Sequence, residues 1–210
     1  MTRIAIADDH VLVRRGLAEL LREMDDFRVV GEAGSGDELL RTVRDTPVDV
    51  VVMDMNMPGP TGLDLVKSLV AEFPRLPILV LSAHPEDQYA VRVVRAGARG
   101  YLTKESAEAE LVTAIQRVTS GQRYLSQALA ESLLSVLDSD PDADPHAALS
   151  DREYQVLRLL ASGKTVGTIA EDLSLSVKTV STYRSRLLQK MGMSNNAELT
   201  RYALENGLVE

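Results

Sequence analysis

The 210-residue chain is 45% hydrophobic, enough to bury the core of one or two domains, and it contains no cysteine, which excludes a disulfide framework, a thiolate zinc site and a cysteine nucleophile. Any metal should therefore be a hard, oxygen-ligated cation of the magnesium kind. The net charge of -8 opposes binding to phosphate backbones, and no apolar run approaches the roughly 20 residues that span a bilayer, so a cytoplasmic protein with no membrane partner is expected.

In chain order, the first half alternates short apolar runs with longer amphipathic stretches, the pattern of βαβ units in a parallel sheet covered on both faces. Strands are predicted at residues 3–8 (RIAIAD), 28–33 (RVVGEA), 48–53 (VDVVVM), 77–82 (PILVLS) and 98–102 (ARGYL). Helices near 11–24, 35–45, 62–72, 86–96 and 106–119 follow them, with apolar residues at spacings of three and four. This is a (βα)5 arrangement, a doubly wound parallel sheet of α/β class.

Residues 126–137 (SQALAESLLSVL) predict a further helix, and the next ten residues (DSDPDADPHA) are acidic, carry two prolines and offer almost nothing to bury, which predicts a flexible linker. From Leu149 the pattern is helical throughout. Ser150 and Glu153 form a capping box, and Ser176 opens a run that Gly192 closes. Four helices are expected near 151–161, 165–172, 177–191 and 195–205. The resulting organisation is an α/β domain over 1–122, a helix and acidic linker over 123–147, and an all-α domain over 148–210.

In a parallel sheet of this class, ligands bind beyond the C-terminal ends of the strands. The residues standing there are Asp8 and Asp9 after the first strand, Asp54 after the third, Ser82 at the end of the fourth and Lys104 after the fifth. Taken singly, the two acids would serve equally as caps of the first helix and Lys104 as a solvated lysine. Capping, however, requires no such combination of acid, hydroxyl and amine on different strands. Three carboxylates brought together repel each other and raise one another's pKa unless a cation sits among them. Mg2+ suits that place, because it prefers oxygen ligands and bridges carboxylates to a phosphoryl oxygen, while an ammonium and a hydroxyl bind the remaining phosphoryl oxygens.

The segments IAIADDH, VVMDMNMPGPTG, VLSAH and GYLTKE together resemble the receiver domains of two-component response regulators, in order, over residues 1 to about 122. The resemblance implies a flavodoxin-like fold. It makes Asp54 the acceptor of a phosphoryl group from a cognate sensor histidine kinase, and Asp8, Asp9, Asp54 and the Asn56 carbonyl the Mg2+ ligands, with Asp8 acting through water. Ser82 and Lys104 would bind phosphoryl oxygens, and Tyr101 would be the aromatic switch that moves inward as Ser82 is drawn to the phosphate. Where many receivers have proline after the lysine, this chain has Glu105, which leaves that peptide's geometry open. His84 has two readings, an exposed loop residue or a group that tunes phosphoryl hydrolysis. The chain is expected to accept a phosphoryl group rather than to be an enzyme. A dehalogenase-like phosphatase generally carries an acid two residues after the nucleophile, where Asn56 stands.

Charge is unevenly distributed, and residues 174–197 contain Lys178, Arg184, Arg186 and Lys190 but no acid. On a helical wheel, Val180, Tyr183, Leu187 and Met191 cluster on one side of the third helix, with Lys178, Thr182, Ser185 and Gln189 opposite. An apolar back and a cationic, acid-free front suit a helix lying in a DNA major groove, whereas a solvated face usually carries both signs of charge. The helix at 165–172 supplies the packing partner of a helix-turn-helix.

Residues 149–210 resemble the LuxR-type helix-turn-helix of the nitrate-response and quorum-sensing regulators. Within that class, TVSTYRSR and NNAELTRYALENGL are most similar to the global regulators of carbon storage and secondary metabolism. The resemblance places Ser181, Thr182 and Ser185 toward bases, and Lys178, Thr179, Arg184 and Arg186 on phosphates of double-stranded DNA. Tyr183 replaces the family's frequent histidine. It also implies a homodimer on DNA, joined through Leu199, Tyr202 and Ala203 of the last helix, which doubles the few cationic contacts and reads paired half-sites about 34 Å apart.

Overall fold

The apolar runs pair as a five-stranded parallel sheet in a computed structural model that describes residues 1–55, 57, 62–82, 88–138, 145–173 and 175–209. The strands are β1 (Thr2–Ala7), β2 (Phe27–Ala33), β3 (Val50–Asp54), β4 (Ile78–Ser82) and β5 (Gly100–Thr103), in the order β2-β1-β3-β4-β5. Every residue of β3 and β4 is buried, as expected for central strands covered on both faces. The helices are α1 (Val11–Arg22), α2 (Gly36–Asp45), α3 (Gly62–Glu72), α4 (Gln88–Arg95) and α5 (Lys104–Thr119).

Side chains alternate across the sheet, so Ile4 and Ile6, Val50 and Val52, and Leu79 and Leu81 share one face. They pack with Leu17, Ala18 and Leu21 of α1 and with Leu111, Ala114, Ile115 and Val118 of α5. Helix α5 begins two residues earlier than its sequence pattern suggests, because the Thr103 hydroxyl accepts the Ser106 N–H and starts the helix at Lys104. After α5 the chain adds a short bridge to the sheet edge, with Tyr124 paired to Gly100. The Tyr124 hydroxyl donates to Glu110 at 2.6 Å.

Two compact units are present, Met1–Leu133 and Leu134–Glu210. The helix expected after the first domain is α6 (Gln127–Asp138). The second unit contains α7 (Asp151–Ala161), α8 (Val166–Asp172), α9 (Val177–Met191) and α10 (Asn196–Glu205). Each of these four helices opens on a side-chain cap, from Ser150, Thr165, Ser176 and Asn195 respectively. The Ser150–Glu153 capping box is complete, and α9 closes on Gly192, whose φ of 65 lies in the left-handed region that favours glycine.

The end of the expected linker behaves differently from its composition. Pro145–Ala148 forms a 3-10 turn, and His146 is buried, its Nδ1 2.7 Å from the Tyr202 hydroxyl and its ring beside Tyr154. The segment's few aliphatic residues point to flexible chain, but its histidine supplies the anchor instead. An imidazole that finds a hydroxyl partner can be buried as well.

Candidate functional site

The parallel register assembles the first site. Ala7 of β1 pairs with Met53 of β3, so the next residues, Asp8 and Asp54, stand side by side at the C-terminal rim of the sheet. Asp54 pairs with Leu81 and Ser82 with Thr103, which places Ser82 and Lys104 on the following steps of the same rim. Asp8, Asp54 and Ser82 are almost wholly buried, at 0%, 1% and 2% exposure. Capped by Thr103 at the start of α5, Lys104 brings its Nζ to 2.7 Å from Asp8 Oδ2 and 3.2 Å from Asp54 Oδ2. The peptide between Lys104 and Glu105 is trans.

Burial pushes the Asp54 carboxyl above its ordinary range and the Asp8 charge adds to this, while Lys104 opposes without cancelling it. Burial alone would lower the Lys104 ammonium, but its hydrogen bond to Asp8 and the charges of Asp54 and Asp8 together hold it above its usual value. One ammonium thus serves two acids, and the balance is incomplete. Asp54 Oδ1 is buried with no hydrogen-bond partner among the described residues.

Asp9, more open to solvent, lies beside this pair, and so does His10, to which the sequence reading gave no role. Its Nδ1 is 2.8 Å from Asp9 Oδ1 and 3.3 Å from Asp8 Oδ1. One ligand atom from each of Asp8, Asp9, His10 and Asp54 lies within 4.8 Å of the others. A magnesium ion with bonds of about 2.1 Å spans about 4.2 Å between opposite ligands, so these side chains fit a single ion after small adjustments. The orphaned, buried carboxylate oxygen is the group such an ion would satisfy. The signal that would have found His10 is its place directly after the acid pair.

Tyr101 is buried on β5 at 1% exposure. Asn56 and His84 lie outside the described residues.

In the second unit, Val180, Leu187 and Met191 of α9 are buried and Tyr183 is half-buried, as the wheel requires. Lys178, Ser181, Thr182, Ser185 and Arg186 are exposed, and Thr179 and Arg184 are half-buried. The side chains differ in freedom. The Thr179 hydroxyl is 2.7 Å from Ser176 Oγ within the helix cap, and the Thr182 and Ser185 hydroxyls donate back to the carbonyls of Lys178 and Ser181 at 3.0 Å. Arg184 Nε donates to Asn196 Oδ1 at 2.7 Å. Lys190 pairs with Glu153 of α7 at 2.7 Å, so a stretch acid-free in sequence is not acid-free in space.

The dimer contact expected from Leu199, Tyr202 and Ala203 is corrected. Leu199 and Ala203 are fully buried within the chain, on the side of α10 that packs on α7, and Tyr202 is hydrogen-bonded to His146. The apolar stripe of α10 is consumed by its own domain's core; its exposed large apolar residue is Leu204, at 53%.

Residues 4–116 match the family described as response regulator receiver domain, and residues 147–203 match the bacterial regulatory proteins of the luxR family. The chain is 39% identical over 209 residues to the response regulator UvrY of Escherichia coli strain K12, covering 99% of this chain and 96% of that protein. It is also 39% identical over 211 residues to the response regulator GacA of Pseudomonas viridiflava, covering 100% and 99% respectively. Among solved structures it is similar to RcsB from Salmonella enterica serovar Typhimurium bound to promoter rprA with the phosphomimetic BeF3-, with a TM-score of 0.67, 28% identity and coverage of 96% and 97%. The paired acids of the rim and the helix-turn-helix later in the sequence thus have one family in common: this chain belongs to the two-component response regulators that join a receiver domain to a LuxR-type DNA-binding domain and regulate transcription.

Proposed function

We propose that Asp54 is the phosphoacceptor, and that its phosphorylation by a sensor histidine kinase controls DNA binding through α9. The observation that carries this reading is the buried Asp54 carboxylate, with one oxygen beside Lys104 and the other unpartnered amid Asp8, Asp9 and His10. An Asp54 oxygen attacks the phosphorus of the kinase's phosphohistidine. The new O–P bond forms as the N–P bond breaks, and its electron pair leaves on the imidazole nitrogen, which regains a proton from solvent. Asp8, Asp9, Asp54 and the Asn56 carbonyl would hold Mg2+, which when bound supplies positive charge to the transferring phosphoryl oxygens. Lys104 and the Ser82 hydroxyl bind the remaining phosphoryl oxygens, and Tyr101 is the aromatic switch that responds as Ser82 is engaged. The aspartyl phosphate adds about -1.5 to -2 charge, enough to favour one loop arrangement over another.

On this reading residues 1–122 receive the signal, 123–147 connect, and 148–210 bind double-stranded DNA in the cytoplasm as a homodimer. Ser181, Thr182 and Ser185 face bases, and Lys178, Thr179, Arg184 and Arg186 hold phosphates. The chain acts as a phosphoryl acceptor rather than an enzyme on small substrates. Among the described residues no helix is long and apolar enough to cross a membrane. Binding of the full chain to selected DNA, measured with and without acetyl phosphate and Mg2+, tests the coupling. Phosphodonor should change the affinity of the native chain and leave Asp54→Ala unaffected; an equal response in both removes Asp54 from the mechanism.

A further inference from the structure

The phosphoacceptor reading leaves His10 unused, although the fold holds it at the mouth of the acid cluster. Its backbone N–H donates to Asp8 Oδ1 at 2.8 Å, and it stands at the N-cap of α1 without using its side chain as a cap. The imidazole, 66% exposed, has its Nδ1 2.8 Å and 3.3 Å from oxygens of Asp9 and Asp8. Adjacent ligands on an octahedral ion with bonds of about 2.1 Å lie about 3.0 Å apart, and the two spacings bracket that value. A second, independent feature of the same cluster points to a ligand, the Oδ1 of Asp54, buried and without a hydrogen-bond partner among the described residues.

We propose that His10 sets the metal selectivity of this rim, adding an imidazole nitrogen to the three carboxylates so that the site prefers divalent transition cations such as Co2+ to Mg2+. The inference rests on the reading of the rim as a divalent-cation site. Its physical basis is ligand softness. Mg2+ takes oxygen and water and gains little from imidazole, whereas Co2+, Ni2+ and Zn2+ accept imidazole nitrogen readily in the same octahedral or lower coordination. With the ring more than half exposed, its loss of solvation on binding is small. Without an ion, the ring nitrogen already lies 2.8 Å from Asp9, near its ligand position. Among the described residues the other histidine, His146, is buried against Tyr202 in the second unit, so it does not compete for added metal.

The test is calorimetric titration of the full chain with CoCl2 and, separately, MgCl2, together with the visible spectrum of bound Co2+. His10→Ala should weaken Co2+ binding at least ten-fold, weaken Mg2+ binding less than two-fold, and shift the Co2+ absorption as a nitrogen ligand is lost. His10→Asn, which keeps a residue favoured at helix N-caps, should behave the same way and guards against a folding defect. Co2+ and Mg2+ affinities that fall together, or an unchanged ratio, would overturn the role of His10 while leaving the cation site standing. Failure of the native chain to bind either metal would instead overturn the cation reading on which this inference rests.

Discussion

Lys104 and Asp8 are joined across 96 residues of sequence by a 2.7 Å contact that brings the start of α5 onto the end of β1. The same Nζ is 3.2 Å from Asp54, so one cation offsets two buried acids. Lys104→Met therefore leaves like charges facing each other. Removing one partner of a buried ion pair costs about 3–5 kcal/mol, and the partial exposure of Lys104 puts the expected loss at the lower end of that range. Thermal melts in EDTA should show the variant clearly less stable, with Mg2+ recovering more stability in the variant than in the native chain. Equal melting of the two proteins in EDTA would show that the pair contributes nothing to the fold.

Glu153 makes a different kind of contact, in which a helix cap and an ion pair share one carboxylate. Burial works against its charge, but hydrogen bonds from Lys190 and from the Ser150 side chain and backbone outweigh burial and hold its carboxyl below the ordinary range. A carboxyl depressed in the folded state stabilises the fold above its unfolded pKa, and this stability disappears as pH falls through the folded value. Glu153→Gln should cost about 1–2 kcal/mol at pH 7 and much less near pH 3. Urea unfolding at the two pH values measures the difference, and an equal cost at both would assign the effect to packing rather than charge.

The sheet and its rim were legible because their causes are local and periodic. Runs such as VVVM and ILVL are apolar throughout, as strands buried on both faces must be, and in-register parallel pairing carries Asp8, Asp54, Ser82 and Lys104 to one edge. Pairings made in space left little trace. Leu199 and Ala203 form a stripe that would suit a partner chain as well as α7, and nothing in the spacing of α10 decides between the two. Lys190 and Glu153 are 37 residues apart, so an inspection of nearby acids misses their pairing. His146 was hidden by the acidic, proline-bearing segment before it.

These pairings divide the cations of α9 into two groups. Lys178 and Arg186 are exposed and make no ion pair among the described residues, and Arg184, positioned by the neutral Asn196 amide, keeps its charge for a phosphate, while Lys190 is tied to Glu153. Each neutralised phosphate contributes about one unit to the slope of log affinity against log salt. Lys178→Ala and Arg186→Ala should therefore each lower that slope by about 1 per protomer and weaken binding to all sequences alike. Lys190→Ala should leave the slope nearly unchanged and instead lower the melting temperature. Fluorescence anisotropy over a salt series distinguishes the two groups, and a full unit of slope lost with Lys190→Ala would place that lysine on the DNA. Thr182→Ala, by contrast, should redistribute affinity among sequences more than it lowers the mean.

The contact of His146 with Tyr202 seats the turn at Pro145–Ala148 inside the second unit. The imidazole lies 2.7 Å from the hydroxyl, with the Tyr202 and Tyr154 rings 5.8 and 6.2 Å from its own, so a polar contact inside an aromatic cluster joins the turn at Pro145–Ala148 to α10. Breaking it from either side should loosen the turn by a similar amount. Tyr202→Phe removes the hydroxyl but keeps the ring, and His146→Phe removes the ring nitrogen but keeps an aromatic; each should cost about 1–2 kcal/mol. The double variant should cost less than the sum by about 1 kcal/mol, because the second change removes a group whose partner is already gone. Denaturant unfolding supplies the cycle, and hydrogen exchange at residues 145–149 in the same variants shows whether the turn itself opens. Additive costs with unchanged exchange would mean that ring packing, not the hydrogen bond, anchors the chain at this point.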